Sequence, residues 1–441
     1  MMLSELASLF KMPCEHDVVL TGVCIDSRKL TPGQVYVAIQ GERFDGHTFI
    51  PDAVKNGAVA IICSHAAANI SIPQFVVPDT IEALATLAAF HRRSLDCPII
   101  ALTGSNGKTT VKEMIASILP APSFATPGNL NNHIGAPLSI LQLQPKHRYA
   151  VFELGANHLN EIAHTVAVVQ PQVALINNIA PAHIGEFGSL DGVARAKGEI
   201  YEGLCKAGTA VINDDDAYAH FWDSLLVDKK KVLFSVTKPV TIHARDVVLD
   251  AEGCAQFTLV TPVGEGLVHL AVPGMHNVSN ALAAAACTFS LGIDLPAIQE
   301  GLSRFSGVPG RMMFLEGKQH ACIIDDTYNA NLRSALTAVD VLAARSGVRV
   351  FVMGDMGELG RWSEQHHHEV GLAARTKGID RLMTCGAYSA LATKAFGLGA
   401  KHYETQADLV ADLLNTLDGE TTVLVKGSRS SAMEKIVQQL V

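Results

Sequence analysis

IIALTGSNGKTTVKEM, residues 99–114, carries an apolar strand straight into a glycine-rich turn bearing Lys108 and Thr109, and then into a helix. That order of elements seats a nucleotide triphosphate. Backbone N–H groups from Gly104 to Lys108 can point into one concavity, the helix beginning near Thr109 adds the positive end of its dipole, and Lys108 supplies a full charge. Thr109 offers a hydroxyl to magnesium. The pattern G-x-x-x-x-G-K-[ST] asks for glycine where Leu102 stands, so the turn is shortened to GSNGKT. The flanking strand and helix supply the context that a bare GK[ST] lacks. A glycine turn that only links strand to helix is the competing reading.

Outward from this turn, a chain of 441 residues has room for two to four domains, and 48% apolar against 17% charged residues suffices for well-buried cores. A net charge of -9, sparse aromatics at 6% and no lysine- or arginine-rich block argue against nucleic acid as a partner. The nine cysteines are scattered without a C-x-x-C pair, as expected for thiols in a reducing compartment. The first residues lack a basic start followed by an apolar core, and no segment approaches ~20 uninterrupted apolar residues. A soluble, cytoplasmic protein without membrane insertion is expected.

Short β-like runs at 35–39, 59–63 and 74–78 separated by polar turns read as a small α/β domain over residues 1–95, closed by an alanine-rich helix at 81–93. Over 96–307 the continuous apolar runs IIALT, YAVFELG, VALINNIA and TAVIND alternate with helices, which predicts a doubly wound, mostly parallel sheet. Runs between 232 and 272, including VLFSV, FTLV and GLVHLAV, suggest antiparallel hairpins attached to it, and a helix is expected over 280–291. After GVPGR (307–311) strands and helices alternate again through 308–441, a second parallel, Rossmann-like α/β unit.

Ligands collect at the carboxyl ends of strands in open α/β sheets, so the polar residues that close the apolar runs carry the interest. These are Glu153, His183 and Asn213, with Lys197 on the following helical stretch. A carboxylate and an imidazole beside a triphosphate suit magnesium, although a hard cation prefers oxygen. Each residue has a plainer reading: Glu153 as a helix cap or lysine partner, His183 as a loop histidine, Lys197 as a solvated helix lysine. Spacing alone stops at a magnesium nucleotide enzyme. The triplet His366–His368 cannot converge on one zinc ion from consecutive helical positions, and Met353 and Met356 read as packing around a strand end.

The same residues stand inside longer strings. TGSNGKT, FELGANH (152–158), NNIAPAHIGEFGSLDGVARAKGEI (177–200), GMHNVSNALAAAA (274–286), PGR (309–311), DDTYNAN (325–331), VMGDMGELG (352–360) and VLVKGSRSSAME (423–434) occur in an order that resembles the Mur ligase family of ATP-dependent amide-forming enzymes. ELGANH, DDTYNAN and GDMGELG look like the branch that adds D-alanyl-D-alanine. The DNPR string of the sister branch that adds a diamino acid is absent. CIDSRKLTPGQVYVAIQG and FDGHTFI, shared with that sister, imply a UDP-muropeptide cradle.

The resemblance implies that Gly104, Ser105, Asn106, Gly107, Lys108, Thr109 and Thr110 seat ATP and that Thr109, Glu153 and His183 hold magnesium. It also implies that Lys197, once carbamylated, supplies a carboxylate-like ligand to a second ion. Asn277 and Asn280 match adenine-side asparagines, Arg311 an arginine reaching the phosphates, and Asp326 a ribose-binding aspartate. Asn131, Asn132, Asn157 and His158 would lie toward UDP-N-acetylmuramoyl-tripeptide, whose uridine end is assigned to Ser27, Arg28 and Arg43. Tyr328, Asn329, Asn331 and Arg429 are the candidates for D-alanyl-D-alanine. The chain reads YNANL where the family string continues YNANP, leaving Leu332 and Arg333 at a less rigid turn.

On this reading Lys108, Lys197, His183, Glu153 and Arg311 are the catalytic set, acting on an acyl phosphate in a chain expected to be monomeric. No general base is assigned, since Asp325 or Asp326 at a strand end would more often bind ribose or cap a turn. ATP and muropeptide are expected to draw the third domain onto the second. A ligase that extends folate would share the phosphate loop but need no UDP cradle. A hydrolysing switch would need neither Lys197 beside a second metal nor a third nucleotide-closing domain.

Overall fold

A computed structural model describes residues 1–14, 17–41, 44–181 and 184–441, with the backbone alone at Ile184 and Gly185. Its strands form three sheets. In the first, β1 (Gly22–Cys24), β2 (Gln34–Val37), β3 (Ala60–Cys63) and β4 (Gln74–Val76) pair in that order, all parallel. Side chains alternate between its faces, so Val35, Val37, Ala60 and Ile62 fill one core while Tyr36, Ala38, Ile61 and Cys63 fill another.

The helix Thr80–Arg93, started by Asp79 accepting from the Ile81 and Glu82 N–H groups, serves two cores. Ala83, Leu84 and Leu87 pack on the first sheet, and Ala85 and Ala88 on the central one. At its last turn buried Arg92 donates from Nε to the Val169 carbonyl, the end of helix Glu161–Val169, and so fixes the joint.

The central sheet is built on β5 (Ile99–Thr103), all five residues of which are buried. Ile100 and Leu102 share a core with Val111, Met114 and Ile115 of the helix Lys108–Ile118, while Ile99 and Ala101 face Phe152, Ile162 and Ile200. Helices cover both faces, the arrangement that lets continuous apolar runs serve as parallel strands. Around β5 stand β6 (Ser123–Ala125), β7 (Tyr149–Glu153), β8 (Val173–Ile176), β9 (Thr209–Asn213), β10 (Lys230–Ser235), β11 (Ile242–Leu249), β12 (Cys254–Thr261) and β13 (Gly264–Pro273). The order is β13-β12-β11-β10-β9-β8-β5-β7-β6.

Two expectations are corrected here. VLFSV does not open the hairpins: β10 pairs parallel with both β9 and β11, and only β11–β12 and β12–β13 are antiparallel. The connection into β10 contains a single 3-10 turn, Asp223–Leu226, so the helix that normally marks a parallel crossover is missing from the sequence signal. The alanine-rich helix spans Met275–Ser290, starting five residues before the expected 280, because buried Asn277 and Asn280 interrupt the apolar pattern of its first turns.

In the third sheet β14 (Met313–Glu316), β15 (Cys322–Asp326), β16 (Val348–Met353), β17 (Arg381–Cys385), β18 (Ala400–Tyr403) and β19 (Thr421–Lys426) run in the order β14-β15-β19-β16-β17-β18. Only the β14–β15 pair is antiparallel. Ile324, Phe351 and Leu424 face one core, and Ile323, Val350, Val352 and Val423 the other. Met353 and Met356 are buried in the first of these, as packing side chains. Among the described residues no helix is long and apolar enough to cross a membrane.

Candidate active site

The carboxyl ends of β5, β7 and β9 open with the Met275 end of the alanine-rich helix, and with residues 307–312 and 326–337 leading into and out of the third sheet, onto one cleft of about 990 Å³. The phosphate turn forms its floor. Gly107 adopts φ 77°, and a Cβ there would lie 2.5 Å from Asn280 Oδ1, so the position requires glycine. The turn is held from beneath by amides: Asn177 Nδ2 donates to the Asn106 carbonyl (2.9 Å) and to Asn280 Oδ1 (3.1 Å), and Asn280 Nδ2 donates to Asn277 Oδ1 (2.9 Å). Ser105 Oγ donates to the Ala180 carbonyl at 3.0 Å. This amide ladder ties the helix Met275–Ser290 to the turn.

Within the turn Lys108 folds back, donating from Nζ to the Gly104 carbonyl at 2.8 Å. Burial and the Arg311 charge push its ammonium below the usual lysine range, against the opposing pull of Glu153. Thr109 Oγ1 donates to Glu153 Oε2 at 2.8 Å and accepts from Arg311 Nη2 at 2.8 Å. Glu153, 3% exposed, also accepts from Asn131 Nδ2 at 2.9 Å. A hydroxyl and a carboxylate oxygen in contact at the mouth of a phosphate turn are a hard-cation donor set, so these two residues fit magnesium. Among the described residues no group of three or more histidine, cysteine or acidic side chains is placed to hold a metal by itself.

Lys197 sits on the helix Leu190–Glu202, 2% exposed yet lining the cleft. Burial, reinforced by the Lys108 charge, lowers its pKa to about 7. No hydrogen bond or ion pair to its amine is formed among the described residues.

From the third domain Arg311 stacks its guanidinium 4.2 Å from the Tyr328 ring centroid, with Nε buried and without an acceptor among the described residues. Asn331 Nδ2 donates to Asn106 Oδ1 at 2.8 Å, and Arg333 Nη1 to the Ile179 carbonyl at 3.3 Å. These two bonds join the third domain to the central one. The Asn106 Nδ2 group, on a residue that lines the cleft, is buried without an acceptor among the described residues. Asp326 is bound by Lys426 Nζ at 2.5 Å and by the Met312 N–H. Burial raises its carboxyl while Lys426 opposes the shift.

The cleft thus collects Ser105 to Thr110, Asn131, Asn132, Glu153, Asn157, Lys197, Asn277, Asn280, Arg311, Asp326, Tyr328, Asn329, Asn331 and Arg429. Gly104 and His158 lie beside it without lining it. Ser27 is buried in the first domain, and Arg28 is engaged through Nε and Nη2 by Asp26; neither reaches the cleft. Arg43 and His183 fall outside the described residues. The sequence reading passed over Lys426, His276, Glu358 and the Lys112–Glu113 pair, all of which line the cleft. Lys426 closes β19 as Glu153 closes β7, so the strand-end rule, applied to the third sheet, would have found it. His276 lay inside a quoted string, and burial beside Lys426 lowers its pKa to about 4.

Residues 19–92 match the Mur ligase family, catalytic domain; 102–288 the Mur ligase middle domain; and 310–429 the Mur ligase, glutamate ligase domain. The UDP-N-acetylmuramoyl-tripeptide--D-alanyl-D-alanine ligase of Escherichia coli K12 is 45% identical over 96% of this chain and 94% of its own. A crystal structure of MurF from Acinetobacter baumannii superposes with a TM-score of 0.92 at 38% identity, covering 99% of this chain and 98% of that one. MurF ligase from Thermotoga maritima, solved in complex with ADP, gives 0.83 at 27% identity over 95% and 96% of the two chains. With the phosphate turn, the amide ladder and the reaching Arg311 on one cleft, and with relatives matched from end to end, this chain belongs to the Mur ligase family.

Proposed function

We propose that the protein joins D-alanyl-D-alanine to the terminal carboxylate of UDP-N-acetylmuramoyl-tripeptide at the expense of ATP, a step of peptidoglycan precursor synthesis in the cytoplasm. The observation that carries this is the single cleft: a phosphate turn, an isolated buried lysine and a third-domain arginine face one space of about 990 Å³. Relatives of that name, matched over almost their whole length, support the choice of substrates.

A carboxylate is a poor electrophile, so one of its oxygens first attacks the γ-phosphorus of ATP. The bond to the β-phosphate oxygen breaks, and ADP departs with the electron pair. The dipeptide ammonium gives up a proton, and its nitrogen attacks the acyl carbon. The carbon–oxygen bond to phosphate breaks, and phosphate leaves with the second proton from nitrogen. Lys108 and Arg311 offset the charge that gathers on the transferred phosphoryl group, and the amide ladder fixes the turn that aligns it.

Thr109 and Glu153, with His183, would hold magnesium, and Lys197 as a carbamate would hold a second ion; bound there, the ions would draw charge from the phosphoryl oxygens. The isolation of the Lys197 amine supports the modification, because carbon dioxide reacts with the neutral amine and burial favours that form. Asn277, Asn280 and Asp326 are assigned to the nucleoside. Residues 1–95, through Ser27, Arg28 and Arg43, take the uridine end, 96–307 the ATP, and 308–441 the dipeptide.

The test supplies ATP, magnesium, UDP-N-acetylmuramoyl-tripeptide and D-alanyl-D-alanine and omits each in turn while phosphate release is followed. Multiple turnovers require all four. Sustained release without the muropeptide or the dipeptide would contradict the ligase reading.

A further inference from the structure

Two parallel neighbours of the third sheet end side by side on opposite charges. Asp326 closes β15 and Lys426 closes β19, and the two are paired positions in the register, so their side chains leave the same face of the sheet. Lys426 is buried, and its ammonium donates to Asp326 Oδ2 at 2.5 Å and to the Asn329 carbonyl at 3.0 Å. A lysine presents three N–H donors, so this one group braces both ends of the loop 326–329.

The arm 307–312, which carries Arg311 to the phosphate turn, rests on that loop. Its backbone is left-handed at Gly307 (φ 106°), Gly310 (φ 73°) and Met312 (φ 53°), and the Arg311 N–H closes the turn on the Val308 carbonyl at 3.0 Å. Met312 carries a Cβ, so its conformation persists only where neighbours hold it. Asp326 does so, accepting the Met312 N–H on Oδ1 at 3.2 Å. Two residues on, the Tyr328 N–H donates to the Gly310 carbonyl at 3.0 Å, and a Cβ on Gly310 would lie 3.3 Å from Tyr328 Cβ.

Arg311 therefore reaches Thr109 from an arm held at Gly310 and at Met312, in both places by the loop that Lys426 holds at Asp326 and at Asn329. With Lys426 gone, Asp326 would be a buried carboxylate stripped of its cation. It would take up a proton or turn toward water, and either change weakens the charge-assisted hold on the Met312 N–H. Each Asp326 oxygen keeps a further lone pair for the nucleoside assigned to it above. Resting on the function proposed above, we infer that Lys426 is a positioning residue for transfer of the γ-phosphoryl group: through Asp326 and the Met312 N–H it holds Arg311 on the phosphates, without touching the substrates itself.

The experiment reads the first half-reaction alone. ATP and UDP-muropeptide without dipeptide are incubated with hydroxylamine, and hydroxamate reports acyl phosphate formation. The proteins are the wild type, Lys426→Met, Lys426→Gln, Arg311→Ala and the two double variants. Methionine matches the lysine in shape and has no donor. Glutamine keeps an amide that can bond either acceptor, and it decides the matter alone if Lys426→Met does not fold.

With Arg311 present, Lys426→Met lowers kcat for hydroxamate about 10–100-fold and Lys426→Gln about 3–10-fold, while KM for the UDP-muropeptide moves less than about twofold. A general loosening of the cleft would raise that KM as well. In the Arg311→Ala background either substitution costs less than about twofold more, because the side chain that Lys426 serves is gone. A folded Lys426 variant within about twofold of wild type overturns the inference, and so does a muropeptide KM that rises in step with the fall in kcat. A further loss beyond about twofold in the Arg311→Ala background overturns it too, since Lys426 would then act on the substrates directly. Hydroxamate absent from the wild type instead brings down the ligase reading on which the inference rests.

Discussion

Replacing Lys197 by methionine should make the protein more stable and inactive at the same time. In the unfolded chain a lysine titrates near ~10.4, whereas in the fold burial and the Lys108 charge bring Lys197 to about 7. At pH 7 the unfolded side chain is fully protonated and the folded one about half so, and each unit of separation is worth about 1.4 kcal/mol. The wild type therefore carries a penalty of about 4 kcal/mol that an apolar side chain of similar shape escapes.

The sign fixes the pH course. Between pH 7 and about 10 the unfolded state binds more protons than the folded one, so wild-type stability climbs with pH toward that of the variant. Urea unfolding in carbonate-free buffer measures this, read from the fluorescence of Trp222. Its Nε1 donates to the Ala194 carbonyl one turn from Lys197. Trp362, the other tryptophan, is replaced by phenylalanine in both proteins. Adding bicarbonate should then stabilise the wild type alone, because the carbamate supplies an anion beside Lys108. A variant no more stable at pH 7, or a gap unchanged between pH 7 and 10, would refute the isolated, neutral amine.

Arg311→Ala removes both the bond to Thr109 and the stack on Tyr328, and should lower kcat/KM about 100–1000-fold in steady-state assays with little change in unfolding. Asn106→Ala and Asn331→Ala, combined in a double-mutant cycle on ATP affinity, should couple by about 1 kcal/mol, because each removes the same bond between the domains; strict additivity would contradict that. His367→Ala leaves the Met356 N–H buried without its acceptor, which should cost about 1–3 kcal/mol in denaturant unfolding; a loss within about 0.5 kcal/mol would contradict that.

What could be read from the sequence follows the range of the forces involved. Fully buried strands such as IIALT and the phosphate turn declare themselves locally, because each residue answers to its immediate neighbours in the chain. The VLFSV run of β10 was legible as a strand but its pairing was not, since its parallel partner β9 is reached through turns rather than a helix. The Met275 end of the alanine-rich helix was hidden for a chemical reason. Asn277 and Asn280 are polar to a periodicity count but buried in fact, because their amides bond the phosphate turn.

Within the site, Lys108, Glu153 and Arg311 were legible as motif positions. The isolation of Lys197 and the ion pair of Lys426 with Asp326 depend on what the fold brings near. His367 shows the same limit: the triplet invited and failed a zinc reading, and only tertiary structure shows the middle ring clamping a loop.

The central claim is that the cleft sets the terminal phosphoryl group of ATP against the tripeptide carboxylate. UDP-N-acetylmuramoyl-tripeptide labelled with heavy oxygen in that carboxylate, turned over with ATP and D-alanyl-D-alanine, tests it most directly. The account predicts that one labelled oxygen per turnover appears in the released inorganic phosphate. Phosphate free of label, with ATP consumed and product formed, would contradict it.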